Sequence, residues 1–554
     1  MIPQVPRLKL RLCCQPTAIL LLFILLGGFF LRIHGLEWGL PNQNSYLSYK
    51  TDENIFIRSI SQMKPAQLDF NPHFFVWGCW HFYELAFVLK MGQSFGWIKV
   101  VSDKGFYFQH PEEMAKIYQL GRWLSVFFSI GTLWLVFAVG RKIRNVKTGL
   151  LGILFLAIMP AHVINSHFLT ADASVTFWAT LVLFFSIRIL DSGQWADYIG
   201  AGVALAFAAG AKHTGAFVAG TLFFAHLLRQ LNQFSWHSLI QAFFCRKLWY
   251  AYLTSAFVYL ISNPYMILAF EEAKPHLLWL LSQGGASNVE SRQSFFLDAL
   301  RLFSVGMTWP FLWLFLFSLL SFFGRFRKPT LLIFLWMLPF LTHMLKSGLL
   351  ATRFQMFILP AVCILMADAV SSWLEFLRFK KLQLIKGFMV LILVLSVLYT
   401  SAYVFAYDRI LASPPLQDVA SQWLLQNLPK GTTIGVASEP FMERTPSVIH
   451  QDYFYSESDH WKPHFRIQNF DYDAEKLRQG APEYFAISIR ESSLNANPSD
   501  RHNPFIRALL DRYEPIRSFE NKIELLGYEF KPSKVILSDW HLPLSTLSIL
   551  RKKT

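Results

Sequence analysis

The sequence contains little charge for its length. Asp, Glu, Lys and Arg make up 16% of its 554 residues, whereas about 25% is usual for a soluble protein. Hydrophobic residues account for 53%, and the counts of Phe (54) and Trp (18) are high. The composition excludes a disordered chain and a nucleic-acid-binding protein, and it predicts a polytopic membrane protein with many aromatic side chains in and beside its spans.

Cysteine is also scarce. The five cysteines lie in or beside apolar segments, and none follows residue 407; they are Cys13, Cys14, Cys79, Cys245 and Cys363. Their positions exclude a disulfide framework and a zinc site of the usual cysteine spacing. The sequence also lacks the inverted internal repeat that transporters often show, and its C-terminal part lacks a Gly-rich phosphate loop and a nucleophile elbow.

Long apolar runs are abundant, and they predict about eleven membrane-spanning helices. The first, Thr17–Leu36, lacks a small-x-small cleavage site, so we expect a retained anchor and not a removed signal peptide. The segment Phe74–Lys90 is predicted to be a juxtamembrane helix, because counting it as a span would place the basic run 141–147 outside. The other spans are predicted near residues 120–140, 148–164, 173–190, 198–211, 214–229, 248–264, 302–323, 330–346, 354–371 and 387–407.

The net charge of +15 is unevenly distributed along the chain. From Asp408 onward there are 18 Lys and Arg against 19 Asp and Glu, which leaves 33 basic against 17 acidic residues in the first 407. The basic clusters fall on one side of the predicted spans, so the positive-inside rule places the N-terminus inside and the C-terminus outside. Three outer segments are then long: 37–119, 265–301 and the region after 407.

The region after residue 407 changes in composition and pattern. Helical and strand patterns alternate there, which predicts a small α/β unit. The predicted elements are helices at Leu416–Leu428, Ala474–Gln479 and Pro504–Arg512, and strands at Thr432–Ala437, near His464–Phe470 and at Tyr484–Ile489. The sequence therefore predicts a transmembrane domain over residues 1–407 and a soluble, non-cytoplasmic α/β domain over 408–554.

An acidic pair follows the first span in the stretch EWGLPNQNSYLSYKTDENIF. Asp52 and Glu53 are adjacent, and neighbouring side chains at a helix start point about 100° apart. One carboxylate can therefore face a substrate while the other supports it. The alternative is an acidic helix N-terminus that the helix macrodipole stabilises.

Four further stretches follow in order: NPHFFVWGCWHFYEL, GRWLSVFFSIGTLWLVFAVGRKI, MPAHVINSHFLTADASVTFWATL and LAFAAGAKHTGAF. Their order resembles the polyprenyl-phosphate-sugar-dependent glycosyltransferases of the GT-C superfamily. The similarity is to the branch that holds protein O-mannosyltransferases and lipid A aminoarabinose transferases. It covers most of residues 30–370 and includes the later segment ATRFQMFILP. The resemblance implies a GT-C-like helical membrane enzyme that moves a monosaccharide from a polyprenyl-phosphate carrier to an acceptor on the non-cytoplasmic face, with inversion if transfer is a single displacement.

The resemblance also implies roles for individual residues. Asp52 is expected to be the base that takes the acceptor's proton, and Glu53 is expected to be its partner in the catalytic pair. The residues expected to bind the donor are Arg122, Asp172, Lys212 and Arg353. Because an ionisable side chain at membrane depth is costly unless it is used or paired, Asp172 and Lys212 are candidates on their chemistry as well; a structural ion pair is the alternative.

The sequence assigns no cofactor. His162, His167 and His213 lie near the predicted outer boundary, and His81 lies one helical turn from Glu84. One interpretation of these residues is a divalent metal site; the alternative is that the histidines are polar anchors at the interface.

The expected partners are a polyprenyl-phosphate-linked sugar, membrane lipids, and an acceptor that is a lipid, a glycan or a protein. The chain contains no N-x-S/T sequon, which favours a bacterial inner membrane, with the outer loop and the C-terminal domain in the periplasm. A lipid-linked-sugar transporter or flippase is the alternative function, since it needs similar spans and phosphate contacts, and a non-catalytic scaffold is a third. The acidic pair, the lack of repeats and the outer domain favour the transferase.

Overall fold

The computed structural model describes residues 15–230, 236–285, 292–324, 327–346, 351–377, 382–488, 503–531, 542–544 and 546–553. Cys13 and Cys14 lie outside these residues. The helices of the first part of the chain are α1 (Gln15–Ile33), α2 (Thr51–Gln62), α3 (Trp80–Ser94), α4 (Lys104–Gln109), α5 (Pro111–Ile143), α6 (Val146–Ala157), α7 (Pro160–Asn165), α8 (Ala171–Asp191), α9 (Trp195–Ala211), α10 (Ala219–Gln230), α11 (Trp236–Phe243), α12 (Arg246–Ser262), α13 (Tyr265–Leu268), α14 (Phe270–Gly285), α15 (Arg292–Met307), α16 (Trp309–Gly324), α17 (Lys328–Lys346), α18 (Thr352–Gln355), α19 (Leu359–Phe376) and α20 (Gln383–Leu411). Short 3-10 helices occupy Pro65–Gln67 and His213–Val218.

The 33-residue helix α5 shows how the sequence sets the limits of a span. Pro111 lies in the first turn, where backbone N–H groups have no intrahelical partner, so proline costs no helical hydrogen bond there. Glu112 and Glu113 lie in the first turn, and Arg141 and Lys142 lie in the last. Acidic residues at the start and basic residues at the end complement the helix macrodipole. The apolar middle of the helix then packs against α6 and α8.

The described residues contain six helical stretches that are long and apolar enough to cross a membrane, or seven if one bent pair counts as a single span. They are Pro16–Ile33, Pro111–Ile143, Ala171–Asp191, Lys328–Lys346, Leu359–Phe376 and Gln383–Asn427. The bent pair is Ala299–Met307 with Trp309–Ser321, at an angle of 112°, and Thr308 between them has a left-handed backbone with φ of 70°.

The predicted count of about eleven spans is not confirmed. Four predicted spans correspond to the helices α6, α9, α10 and α12, which have 12, 17, 12 and 17 residues. A straight helix needs about 20 residues to cross a bilayer. Helix α3, which covers part of the predicted juxtamembrane segment, has 15 residues and is not among the candidate spans of the described residues.

Small residues bring the membrane helices close together. A Cβ atom added at Gly202 on α9 would stand 2.3 Å from the carbonyl oxygen of Ala251 on α12, and one at Gly140 on α5 would stand 2.9 Å from the Cα of Gly149 on α6. Close backbone approach of this kind is how helices associate where lipid supplies no hydrophobic driving force. The resulting core is continuous from α1 to α20.

The C-terminal part contains a five-stranded mixed sheet with the order β2-β1-β3-β7-β4. Strand β1 pairs in parallel with β2 and β3, while β7 pairs antiparallel with β3 and β4. The strands are β1 (Thr433–Val436), β2 (Arg466–Asn469), β3 (Tyr484–Ser488), β4 (Tyr513–Phe519), β5 (Glu524–Leu525), β6 (Tyr528–Glu529) and β7 (Leu547–Lys552); the helices are α21 (Leu416–Asn427), α22 (Ser447–Phe454), α23 (Ala474–Gln479) and α24 (Asn503–Arg512), with a 3-10 turn at Leu542–Leu544.

The structure thus confirms a helical chain with several apolar spans and a small sheet region near its C-terminus. The six elements expected after residue 407 coincide with α21, α23, α24, β1, β2 and β3 within two residues at each described end; Ile489, the predicted end of the third strand, lies outside the described residues. The sequence did not reveal α22 or the strands after residue 512. The division into domains at residue 407 stays a prediction.

The C-terminal part packs on the end of α20. Phe530 lies edge-on to Tyr399 and Tyr403, with ring centroids 5.5 and 5.7 Å apart. Ile523 and Phe530 belong to the same buried cluster as the membrane helices. This contact packs the sheet region against the helical part of the chain.

Candidate active site

Asp52 stands in the first turn of α2 and forms an ion pair with Arg353 of α18. The pair is partly open, since the Asp52 side chain is 17% exposed and the Arg353 side chain 26%. Burial by itself raises the pKa of Asp52, but the positive charges of Arg353, Lys50 and Lys212 outweigh it, so the pKa falls below its ordinary value. Asp52 is therefore a carboxylate at neutral pH, able to accept a proton.

Lys212 and Asp172 form a second ion pair beside the first. Lys212 follows the last residue of α9, Asp172 lies in the first turn of α8, and the Lys212 Nζ to Asp172 Oδ1 distance is 2.6 Å. Lys212 Nζ lies 5.0 Å from the centre of the Phe354 ring, and the Arg353 guanidinium lies 5.4 Å from the same centre. The two pairs therefore meet at one aromatic side chain.

Glu53 and Arg122 form a third pair, which is fully buried on both sides. Arg122 Nε donates to Glu53 Oε1 at 2.9 Å, and Arg122 Nη2 donates to Glu53 Oε2 at 2.8 Å. Arg122 Nη1 donates to the carbonyl oxygens of Leu36 and Trp38, each at 2.7 Å. All three guanidinium nitrogens of Arg122 thus bind protein groups.

The Glu53 carboxylate joins three parts of the chain. Besides Arg122 on α5, it accepts hydrogen bonds from the backbone N–H of Leu169 at 2.7 Å and from the Ser48 hydroxyl. Leu169 lies just before α8, the helix that carries Asp172. Glu53 therefore fixes the start of α2 relative to α5 and α8, and this geometry favours a positioning role for Glu53 and Arg122.

The structure brings together four of the six predicted site residues and buries the other two next to them. Lys212 and Arg353, which bind Asp172 and Asp52, both lie beside the Phe354 ring. Glu53 and Arg122 form a buried pair at the start of α2. Their predicted roles in catalysis and donor binding stay predictions.

Sequence reasoning missed two charged residues near Asp52. The Lys50 side chain is 5% exposed, and its Nζ lies 4.0 Å from Glu443 Oε1. Lys50 lies two positions before Asp52 in the sequence, and this closeness could have identified it. Glu443 lies in the C-terminal part, and nothing in the sequence connects it to α2.

The four histidines considered as metal ligands each contact protein groups. His81 Nδ1 lies 2.7 Å from Glu84 Oε2, and Glu84 also accepts from Ser174 and from the indole of Trp178. His162 Nδ1 lies 2.8 Å from Arg32 Nη2, His167 Nε2 lies 3.1 Å from the carbonyl oxygen of His34, and His213 Nε2 lies 3.0 Å from that of Phe75. Across the described ranges, no group of three or more His, Cys, Asp and Glu side chains has the arrangement of a metal site.

Structural comparison aligns this chain with several solved proteins at low sequence identity. The oligosaccharyltransferase of Archaeoglobus fulgidus in the apo form is 12% identical, with a TM-score of 0.49 over 94% of this chain and 74% of that one. ArnT from Cupriavidus metallidurans bound to undecaprenyl phosphate is 11% identical, with a TM-score of 0.46 over 96% and 97%. The S. cerevisiae protein O-mannosyltransferase Pmt1–Pmt2 complex bound to the sugar donor is 17% identical, with a TM-score of 0.34 over 47% and 34%.

Sequence comparison identifies one segment. No curated protein matches the chain, but residues 118–245 match the family model for dolichyl-phosphate-mannose-protein mannosyltransferases. This segment contains Arg122, Asp172 and Lys212, and it contains neither Asp52 nor Arg353. The resemblance to polyprenyl-phosphate-sugar-dependent glycosyltransferases is confirmed over this segment, which begins within α5 and ends just before α12.

Proposed function

We propose that this protein is an integral-membrane glycosyltransferase that moves a monosaccharide from a polyprenyl-phosphate carrier to an acceptor on the non-cytoplasmic face. One observation carries the proposal: the ion pairs Asp52–Arg353 and Asp172–Lys212 meet at Phe354. A site of this kind offers a carboxylate for the acceptor and two cations for a phosphate. The match of residues 118–245 to a mannosyltransferase family supports the same chemistry.

The donor is a phosphodiester, and its phosphate oxygens compete with carboxylates for the same cations. Arg353 and Lys212 bind those oxygens, Arg353 through two parallel hydrogen bonds from its planar guanidinium and Lys212 through its compact ammonium charge. Asp172 carries the same sign of charge as the phosphate, so it acts on the donor through Lys212, whose ammonium it holds 2.6 Å away. The donor-binding set is therefore two cations and one positioning carboxylate.

Donor binding also changes Asp52. In the free protein the positive charge of Arg353 helps to hold the pKa of Asp52 below its ordinary value, which makes the carboxylate a weak base. When the phosphate draws Arg353 away, that charge is shared with the phosphate and Asp52 becomes more basic. The base is thus strengthened only when a donor is present.

Transfer then follows as a single displacement. The acceptor hydroxyl attacks the anomeric carbon while Asp52 takes its proton, and the bond from that carbon to the phosphate oxygen breaks. The electron pair of the broken bond leaves with polyprenyl phosphate, whose added negative charge Arg353 and Lys212 stabilise at the membrane boundary. Attack from the face opposite the leaving group inverts the anomeric configuration.

Donor consumption tests the proposal. Purified full-length protein in nanodiscs is mixed with a panel of polyprenyl-phosphate sugars, with and without a membrane extract as the source of acceptor, and free polyprenyl phosphate is followed by mass spectrometry. The matched variants are Asp52→Asn and Glu112→Gln, since Glu112 lies in the same outer segment with a side chain that is 61% exposed.

The two outcomes differ clearly. Release that needs the extract, persists in Glu112→Gln and is lost in Asp52→Asn supports a transferase and identifies its sugar. Binding of a donor without any release, in the presence of extract, contradicts the proposal and favours a flippase, which a translocation assay in proteoliposomes would then show.

A further inference from the structure

The C-terminal part contacts the outer loop at the residues that precede Asp52. Asp418, at the start of α21, accepts hydrogen bonds from the Tyr49 hydroxyl and, at 3.0 Å, from the Asn42 side-chain amide. The Ser447 hydroxyl donates to the same carboxylate at 3.0 Å. Asp418 therefore ties the loop 42–49 to α21 and α22.

A second contact reaches the N-terminus of α2 itself. Glu443 Oε1 accepts a hydrogen bond from the Thr51 hydroxyl at 3.0 Å and lies 3.4 Å from the Thr51 backbone nitrogen. The residue that precedes the helix, Lys50, makes no side-chain cap hydrogen bond. Since the first N–H groups of a helix have no intrahelical partner, Glu443 supplies from the C-terminal part the carboxylate that a local cap residue usually provides.

Glu443 also fixes the charge next to Asp52. Its Oε1 lies 4.0 Å from Lys50 Nζ, and both side chains are nearly buried, at 11% and 5% exposed. Lys50 is one of three cations whose charge acts on Asp52, the others being Arg353 from α18 and Lys212 after α9. Asp172 faces Lys212 as Glu443 faces Lys50, so each flanking lysine has its own carboxylate.

We infer that Glu443 is a positioning residue for the reaction: from the C-terminal part it caps α2 and holds Lys50, and so sets the orientation of Asp52. The inference rests on the proposed function, because it assumes that Asp52 is the base. It gives the C-terminal part a role in positioning the base, beyond packing on the membrane helices.

Two variants of Glu443 separate its two contacts. Glu443→Gln keeps an oxygen that can accept from Thr51 but removes the charge that faces Lys50, whereas Glu443→Ala removes both. Glu439→Gln is the matched control, because Glu439 is exposed four positions earlier in the same segment. Each full-length variant is compared with the wild type in nanodiscs for thermal stability, kcat, donor KM and the pH dependence of kcat.

The expected results differ between the variants. Glu443→Ala lowers kcat about 10- to 100-fold, because a shift of the reacting groups by about 1 Å has an effect of this size, while donor KM stays near the wild-type value because Arg353 and Lys212 are unchanged. In Glu443→Gln the Lys50 charge acts on Asp52 unopposed, so the acid limb of the kcat profile moves to lower pH. Glu439→Gln behaves as wild type in each measurement.

A merely structural role predicts another pattern. If Glu443 only holds the C-terminal part in place, both variants lower thermal stability but leave the acid limb at its wild-type pH, and that result overturns the inference. Asp52→Asn in the same assay keeps the two claims apart: an active Asp52→Asn contradicts the proposed function, whereas an inactive Asp52→Asn beside a wild-type Glu443→Ala contradicts only the role of Glu443.

Discussion

Asp52 and Glu53 are neighbours at the start of α2, yet they bind their arginines in different environments. Glu53 is fully buried and shares two hydrogen bonds with Arg122, whose remaining nitrogen binds backbone carbonyl oxygens. Asp52 and Arg353 are 17% and 26% exposed and lie beside a second ion pair. A buried, saturated pair cannot exchange partners without a large desolvation cost, whereas a partly open pair can. We therefore expect that Glu53 supports the site and that Asp52 acts in it.

The largest effect on folding is expected from breaking the buried pair. Glu53→Gln or Arg122→Gln leaves a buried charge without its partner, which lowers the free energy of unfolding by about 3–5 kcal/mol. Thermal unfolding of the purified variants in detergent checks this. If Arg122→Gln kept wild-type stability but lost donor binding, Arg122 would be a donor-binding residue and not a structural support for the site.

Changes in the ion pairs Asp52–Arg353 and Asp172–Lys212 are expected to weaken donor binding more than they lower stability. Arg353→Ala and Lys212→Ala each remove a charged hydrogen-bond donor to the phosphate, so polyprenyl phosphate binds about 10- to 100-fold more weakly. Titration of polyprenyl phosphate in nanodiscs measures the loss, with Lys116→Ala as the control because Lys116 is 46% exposed in a surface pair with Glu113. An unchanged dissociation constant in Arg353→Ala would remove Arg353 from the donor site.

A smaller effect is expected on the pH dependence. The charge of Arg353 helps to hold the pKa of Asp52 below its ordinary value, so Arg353→Gln raises that pKa. Because Asp52 must be ionised to accept a proton, the acid limb of kcat/KM moves to higher pH in this variant. A pH profile of donor consumption measures the shift, and a limb that stays in place or moves to lower pH would show that Arg353 does not act on the base.

The sequence predicts well what depends on local pattern. Apolar runs locate α1, α5, α8 and α19, and alternating patterns locate six elements of the C-terminal part. Both succeed because the spacing of apolar residues along a short segment indicates whether it is a helix or a strand. The sharp bend at Thr308 and the short helices α6 and α10 were not predicted. Hydropathy measures whether a segment is apolar, and it does not show where the backbone turns.

The site was predicted in part for a similar reason. The resemblance gave catalytic roles to Asp52 and Glu53 and donor-binding roles to Arg122, Asp172, Lys212 and Arg353. The structure forms three ion pairs from these six residues, and their roles stay predictions. The sequence suggested that the two adjacent carboxylates have different tasks, but their partners, Arg353 for Asp52 and Arg122 for Glu53, appear only in the structure. Glu443 could not be found, because it lies 392 positions from Thr51 and contacts it only when the C-terminal part packs against the start of α2.

The most direct test of the central claim is a paired measurement on Asp52→Asn and Glu53→Gln with the identified donor. Single-turnover release of polyprenyl phosphate is followed beside thermal unfolding of the same samples. We expect Asp52→Asn to unfold like the wild type and to lose about 10²–10⁴-fold of the transfer rate, while Glu53→Gln is chiefly destabilised. An Asp52→Asn variant that folds normally and transfers the sugar at the wild-type rate would contradict the account.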